Sequence, residues 1–153
     1  MASWSEFESV APELAARVRA IFAARKHHTL ATVRRDGSPR VSGIEVEFRA
    51  DGQLVLGMMA GSKKADDVMR DGRIAVQGLS EDPPETDQAS WPGDARIGGI
   101  AALLTPRLED HPPGPRFGIE IHEVVHTHLN DAADTLVIDS WHTGRGLQTQ
   151  GRR

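Results

Sequence analysis

Residues 29–57 read TLATVRRDGSPRVSGIEVEFRADGQLVLG, and two Asp-Gly pairs in this stretch decide the fold. The β-rich run 29–33 ends at Asp36-Gly37, the dipeptide best suited to a tight hairpin because glycine accepts positive φ without steric cost. In residues 42–48 the side chains alternate, with Ile44, Val46 and Phe48 on one face and Glu45 and Glu47 on the other. That pattern predicts a strand wet on one side. Asp51-Gly52 then turns the chain into residues 53–59, which are apolar on both faces and therefore predict a central strand. Together the three strands form a meander.

Upstream, Leu14, Val18, Ile21 and Phe22 follow the i, i+4, i+7, i+8 spacing of one helical face. Pro12 fits in the first turn of that helix, where its missing N–H costs nothing. Residues 1–26 are thus assigned to one N-terminal helix. Downstream, residues 61–70 predict a short helix with Ser62 as cap and Gly72 as stop, and with Ala65, Val68 and Met69 on one side. Residues 73–79, 95–104, 117–127 and 135–142 supply further β-rich runs, with Gly98-Gly99 marking a bulge or a close backbone approach. Residues 143–153 are expected to form a flexible tail. The sum is a small antiparallel barrel interrupted by one helix, a single domain over residues 1–153.

Composition bounds the function. With 153 residues, 39% hydrophobic and 26% charged, the chain matches a soluble globular domain able to bury roughly two-thirds of its unfolded surface. Cysteine is absent, which excludes disulfides, thiolate-held metals and thiol chemistry, and a reducing, cytoplasmic location is expected. The first ten residues are acidic, and the longest apolar run, 98–104, is far short of the roughly 20 residues of a membrane span. Neither membrane insertion nor secretion is expected. The net charge of -4 offers no global field for nucleic acid. Basic residues gather at Lys63-Lys64 with Arg70 and Arg73, and at Arg145, Arg152 and Arg153, while residues 81–94 carry Glu81, Asp82, Glu85, Asp87 and Asp94 without a Lys or Arg and predict an exposed loop.

Residues 57–64, GMMAGSKK, fail the nucleotide P-loop pattern, because too few residues separate the glycines and no Ser or Thr follows the lysines. The GxGxxG pattern is also missing. The start of the helix at Ser62 nevertheless presents unpaired amides with partial positive charge, joined by a hydroxyl and two ammonium groups. Two readings stay open: an anion site, or a capped helix with two solvated lysines. Lysines at a helix N-terminus are a local mismatch on the order of 1 kcal/mol per charge, which an external anion would relieve.

His122, His126 and His128 are expected on one face of a strand, where imidazoles can bind a metal. No carboxylate stands in sequence to complete such a set, so a partly exposed strand face is the default and no metal is expected. Serine-hydrolase and paired-carboxylate arrangements find no support. Trp141-His142 with Arg145 can stack on a flat ring or hold its phosphate, the alternative being a packed Trp and an exposed Arg.

The order of these elements, a helix, LATVRRDGSPRVS over 30–42, an alternating strand, DGQLVL over 51–56 and GSKKA over 61–65, resembles the pyridoxamine 5'-phosphate oxidase-like flavin split-barrel superfamily. The likeness covers roughly residues 12 to 128. It implies a mainly β fold, a six- to seven-stranded antiparallel split barrel (Greek key) with flanking short helices, and a homodimer with cofactors at the subunit interface. By resemblance, Ser62, Lys63 and Lys64 hold a cofactor phosphate, Arg40, Val41 and Ser42 run beside the flavin, and Met58 and Met59 lie near its ring where relatives often carry Thr or Ser. Trp141 and Arg145 are a subgroup feature that would reach the partner subunit's cofactor.

Members of the superfamily use FMN, the deazaflavin F-420 or haem. The Arg-Leu substrate signature of pyridoxamine phosphate oxidation is not found near this C-terminus. The resemblance thus implies an oxidoreductase using FMN or F-420 and transferring hydride to or from a small planar substrate, with no catalytic residue assigned. The alternative is a non-catalytic flavin or haem-binding module, with His122, His126, His128 or His142 as an axial ligand.

Overall fold

The computed structural model describes residues 2–153. The N-terminal segment forms two helices rather than the single helix expected over residues 1–26: α1 (Trp4–Val10) and α2 (Pro12–Ala24). Ser3 and Glu6 close a reciprocal capping box at the start of α1, satisfying amides that a short helix otherwise leaves unpaired. The break falls at Ala11 because the residue before a proline is pushed out of the helical region, and Ala11 sits at φ -138° and ψ 58°. Leu14, Val18, Ile21 and Phe22 of α2 are buried as their spacing predicts, and Trp4 and Phe7 of α1 join them.

Nine strands follow: β1 (His28–Val33), β2 (Pro39–Ile44), β3 (Val46–Phe48), β4 (Leu54–Gly57), β5 (Arg73–Leu79), β6 (Asp94–Leu103), β7 (Arg116–Leu129), β8 (Leu136–His142) and β9 (Gly146–Arg152). Helix α3 (Lys63–Arg70) connects β4 to β5. All pairings are antiparallel, in the order β2-β1-β5-β6-β7-β4-β3. Since β2 and β3 are one run of chain bent at Glu45, the two ends of this order are joined covalently and the sheet closes into a barrel. The predicted meander holds in this bent form, because the middle strand pairs β1 with its first half and β4 with its second. Leu54, Val55 and Leu56 are fully buried, as expected of a strand apolar on both faces.

One edge of β7 is shared. Residues 116–118 pair β4, and residues 123–129 pair β8, so the barrel wall divides along this strand. Its other edge pairs β6 throughout, with a register shift at Gly98/Gly99 where the glycine pair predicts a bulge. The shift leaves His122 as an extra residue on β7, opposite no partner on β6. Residues 143–153, expected as a flexible tail, instead supply β9, which pairs β8 in register from His142↔Gly146 to Leu136↔Arg152.

The glycine at the bulge is required by space. A Cβ on Gly99 would stand 2.1 Å from the Glu120 carbonyl oxygen, a backbone atom that cannot move alone, whereas one on Gly43 would meet nothing within 4 Å. Gly99→Ala is expected to lower the unfolding free energy by about 1–3 kcal/mol and Gly43→Ala to change it by less than about 0.5 kcal/mol, measured by urea denaturation.

Candidate functional site

Helix α3 begins where the sequence places its cap. Ser62 Oγ accepts from the Ala65 amide at 3.3 Å, and the amides of Lys63 and Lys64 precede the first intrahelical bond and have no partner within the helix. Gly61, at φ +74°, makes the tight approach from β4.

The helix is fastened to the barrel by a buried carboxylate. Asp67 is 2% exposed. Its Oδ2 accepts from Thr32 Oγ1 of β1 at 2.8 Å and from Arg40 Nε of β2 at 2.7 Å, and its Oδ1 accepts from Arg70 Nη2 at 3.0 Å. Arg70 also donates to the Val33 carbonyl at 2.8 Å. The Arg40 hydrogen bond, with those from Thr32 and Arg70, overcomes burial and lowers the carboxyl from its ordinary 3.8 to about 2.

Two cavities flank the start of this helix. The first, about 510 Å³, is lined by the cations Arg34, Arg35, Arg40, Lys63 and Arg70 and by the carboxylates Asp36, Asp66 and Asp67, a surplus of two positive charges. The second, about 610 Å³, runs from Gly43, Glu45 and Val46 at the barrel corner to Met58 and Met59 after β4, with Lys64 on one side and His111 and Arg116 on the other. Lys63 and Lys64, adjacent in sequence, each line one of the two. Lys64 Nζ donates to the Gly43 carbonyl at 2.6 Å, which ties α3 to β2 between the cavities.

The expected site residues divide. Arg40, Met58, Met59, Lys63 and Lys64 line these cavities. Ser42 shares the Arg40 face of β2, and its Oγ is buried without a hydrogen-bond partner. Val41 faces the opposite way and is exposed, as is Met59, whereas Met58 is buried in the core. Ser62 is engaged as the helix cap. Trp141 and Arg145 line neither cavity of their own chain: the indole is buried in the core, 5.1 Å from the Phe7 ring, and Arg145 donates to Ser140 Oγ at 2.9 Å. Arg34, Arg35 and Arg116 escape the sequence reading, and Arg70 enters it only as part of a basic cluster; Arg34-Arg35 beside the Asp36-Gly37 turn is a local basic signal for the first two.

The histidines also separate. His122 stands at the bulge, so only His126 and His128 share a face, with their rings stacked at 4.5 Å. Burial pushes the His126 imidazole below its ordinary range, which favours the neutral ring. His142 Nε2 is 2.8 Å from Glu123 Oε2, and Arg96 Nε donates to the other Glu123 oxygen at 3.1 Å.

This closed antiparallel barrel, with a cation-lined hollow at the start of one inserted helix, is a split barrel. The pyridoxamine 5'-phosphate oxidase family profile matches residues 14–127, and the chain belongs to that family. None of the curated protein sequences matches the chain. Among solved structures, it is similar to a pyridoxamine 5'-phosphate oxidase-related, FMN-binding protein from Nostoc punctiforme, with TM-score 0.60, 14% identity, and coverage of 100% of this chain and 98% of that one. It is also similar to PhzG from Burkholderia lata in complex with tetrahydrophenazine-1-carboxylic acid, with TM-score 0.61, 15% identity, and coverage of 98% and 88%. A haem-binding protein from Mycobacterium smegmatis has TM-score 0.54, 13% identity, and coverage of 93% and 88%. No helix among the described residues is long and apolar enough to cross a membrane.

The residues present suit a flavin with a phosphate end. A cation surplus and free amides at a helix start fit an anion, the buried Ser42 hydroxyl lacks a partner, and the neighbouring cavity offers room for a flat ring.

Asp67 ties this site to acid stability. Its folded value lies below the unfolded one, so its contribution is complete above about pH 4 and is lost as pH falls toward about 2. The shift corresponds to about 2 kcal/mol. Asp67→Asn is expected to remove that part of the slope and to cost about 3 kcal/mol at pH 7 by leaving Arg40 and Arg70 unpaired, both measured by urea titration across pH.

Proposed function

We propose that this chain is a cytoplasmic oxidoreductase that binds FMN, or alternatively deazaflavin F-420, at a homodimer interface and transfers hydride to or from a small planar substrate. The observation that carries this reading is that the adjacent Lys63 and Lys64 line, respectively, a cationic cavity and a larger, less charged one, a pairing that matches a ligand with an anionic end and a flat body. Membership of the family supports the same class of ligand.

When bound, FMN or F-420 supplies hydride transfer at its ring. The protein binds and orients. Lys63, Arg34 and Arg70, with the first amides of α3, would hold the phosphate, and Arg40 and Ser42 on β2 would position the adjoining chain of the ligand. Met58 and Met59 would offer polarizable apolar contacts to the ring, and Lys64 and Arg116, which line the same cavity, would supply positive charge. Val41 and Met59, 69% and 74% exposed, are the apolar side chains a second copy would cover, excluding water from the cavity.

Titration with FMN and with F-420, read by thermal stability and by fluorescence, is expected to show saturable binding of one of them that raises Tm. Replacing both Lys63 and Lys64 by Ala is expected to weaken that binding by more than about tenfold, on the order of 1 kcal/mol for each charge lost. The reading fails if neither cofactor shifts Tm at saturation. A Soret band on haem titration, lost on one His→Ala change, would favour the haem-binding module instead.

A further inference from the structure

Three side chains that the flavin reading does not use meet where β7 pairs β8. His126 and Asp139 stand directly opposite each other in the ladder, and His128 lies two residues further along the same face. One ligating atom from each lies within 4.8 Å of the other two. The sequence reading found no carboxylate for this set because Asp139 arrives through strand register, across the turn that joins the two strands.

The hydrogen bonds around His126 fix its tautomer. Its Nε2 is 2.8 Å from the Pro92 carbonyl oxygen, which can only accept, so Nε2 carries the proton and Nδ1 keeps a lone pair. That Nδ1 is buried without a partner in a residue only 3% exposed. Burying an acceptor without a donor costs about 1–3 kcal/mol. A carbonyl holding the far N–H of an imidazole while the near nitrogen is bare is the arrangement that orients metal-ligating histidines.

The other two members are similarly supported. His128 Nε2 faces Asp139 Oδ2 at 2.8 Å, and Thr149 of β9 donates to Asp139 Oδ1 at 2.6 Å, fixing the carboxylate. Arg17 of α2, with its side chain 45% exposed, lies 3.5 Å from the same Asp139 Oδ2, a cation that the ion would have to displace from that oxygen. A cavity of about 580 Å³ borders His126 alone of the three, lined also by Arg17, Ile21, Glu81 and Pro92.

We propose that His126, His128 and Asp139 form a binding site for a divalent transition-metal ion of the Zn²⁺ class. Two imidazoles and one carboxylate suit Zn²⁺ and Ni²⁺ and fall short of the oxygen-rich sets that Mg²⁺ and Ca²⁺ require. The two imidazole rings are stacked without the ion, so the His128 ring turns out of the stack to aim its Nε2 lone pair at the ion, and the proton it shares with Asp139 Oδ2 leaves to solvent. The site is separate from the proposed flavin site, since none of its residues lines either cavity at α3.

The test is calorimetric titration of the full chain, as purified and treated with a chelator, using Zn²⁺, Ni²⁺ and Mg²⁺ salts. One equivalent of Zn²⁺ is expected to bind with proton release, and Mg²⁺ is not. His126 is inside the fold, so the variants are placed at its more accessible neighbours. His128→Gln is expected to weaken Zn²⁺ binding by at least about 100-fold and Thr149→Val by about tenfold, with flavin affinity and far-ultraviolet circular dichroism unchanged. As an independent readout, Zn²⁺ is expected to shift the ring ¹⁵N resonances of His126 and His128 in histidine-labelled protein. Absence of saturable Zn²⁺ binding, or His128→Gln binding as tightly as the wild type, would overturn the proposal whether or not flavin binds.

Discussion

One carboxylate organises the candidate site. Asp67 is almost wholly removed from water, and an anion placed there is costly unless every lone pair finds a donor. It draws those donors from β1, β2 and α3 at once. The same bonds that offset its burial therefore hold Arg40 and Arg70 on the wall of the cationic hollow and set the start of α3 between the two cavities. The cations are preorganised by an internal partner that neutralises only part of their charge, and the remaining surplus faces outward.

Geometry of the barrel supplies the other constraint. Because β2 and β3 are one chain bent at Glu45, the corner that closes the sheet also forms one end of the larger cavity. Phe48 and Ile44 keep the apolar face of this bent strand inward, while Glu45 and Glu47 stay in solvent. The fold and the site are thus set by the same few residues, and the alternation that makes the strand also decides which side chains can reach a ligand.

Much of this was legible in residue order. Both Asp-Gly turns carry glycines at φ +86°, the burial of β4 follows from apolar side chains on both faces, and the glycine pair at 98–99 marks the bulge. The Ser3-Glu6 capping box was present as a signal for α1 but was hidden within a longer helical expectation. What could not be read depends on pairing across the chain. Strand β9 has the sequence GLQTQGR, with no apolar alternation, and becomes a strand because β8 offers it a full ladder of backbone partners. In the site, Ser62, Lys63 and Lys64 announce a helix start, but their division into cap, first cavity and second cavity is a matter of how α3 lies on β2. The contributions of Arg116 and Asp139 required the register of distant strands.

That late strand bears on the company the molecule keeps at high concentration. Its outer rim is lined by Gln148, Thr149, Gln150 and Arg152, nearly all solvated, with only Leu147 as a large apolar group. A foreign β-segment docking on this rim would recover main-chain bonds but find almost no greasy surface to shield, and it would approach the Arg152 guanidinium. Strand β9 is thereby a poor template for fibre growth, protecting β8 from becoming the open border of the sheet.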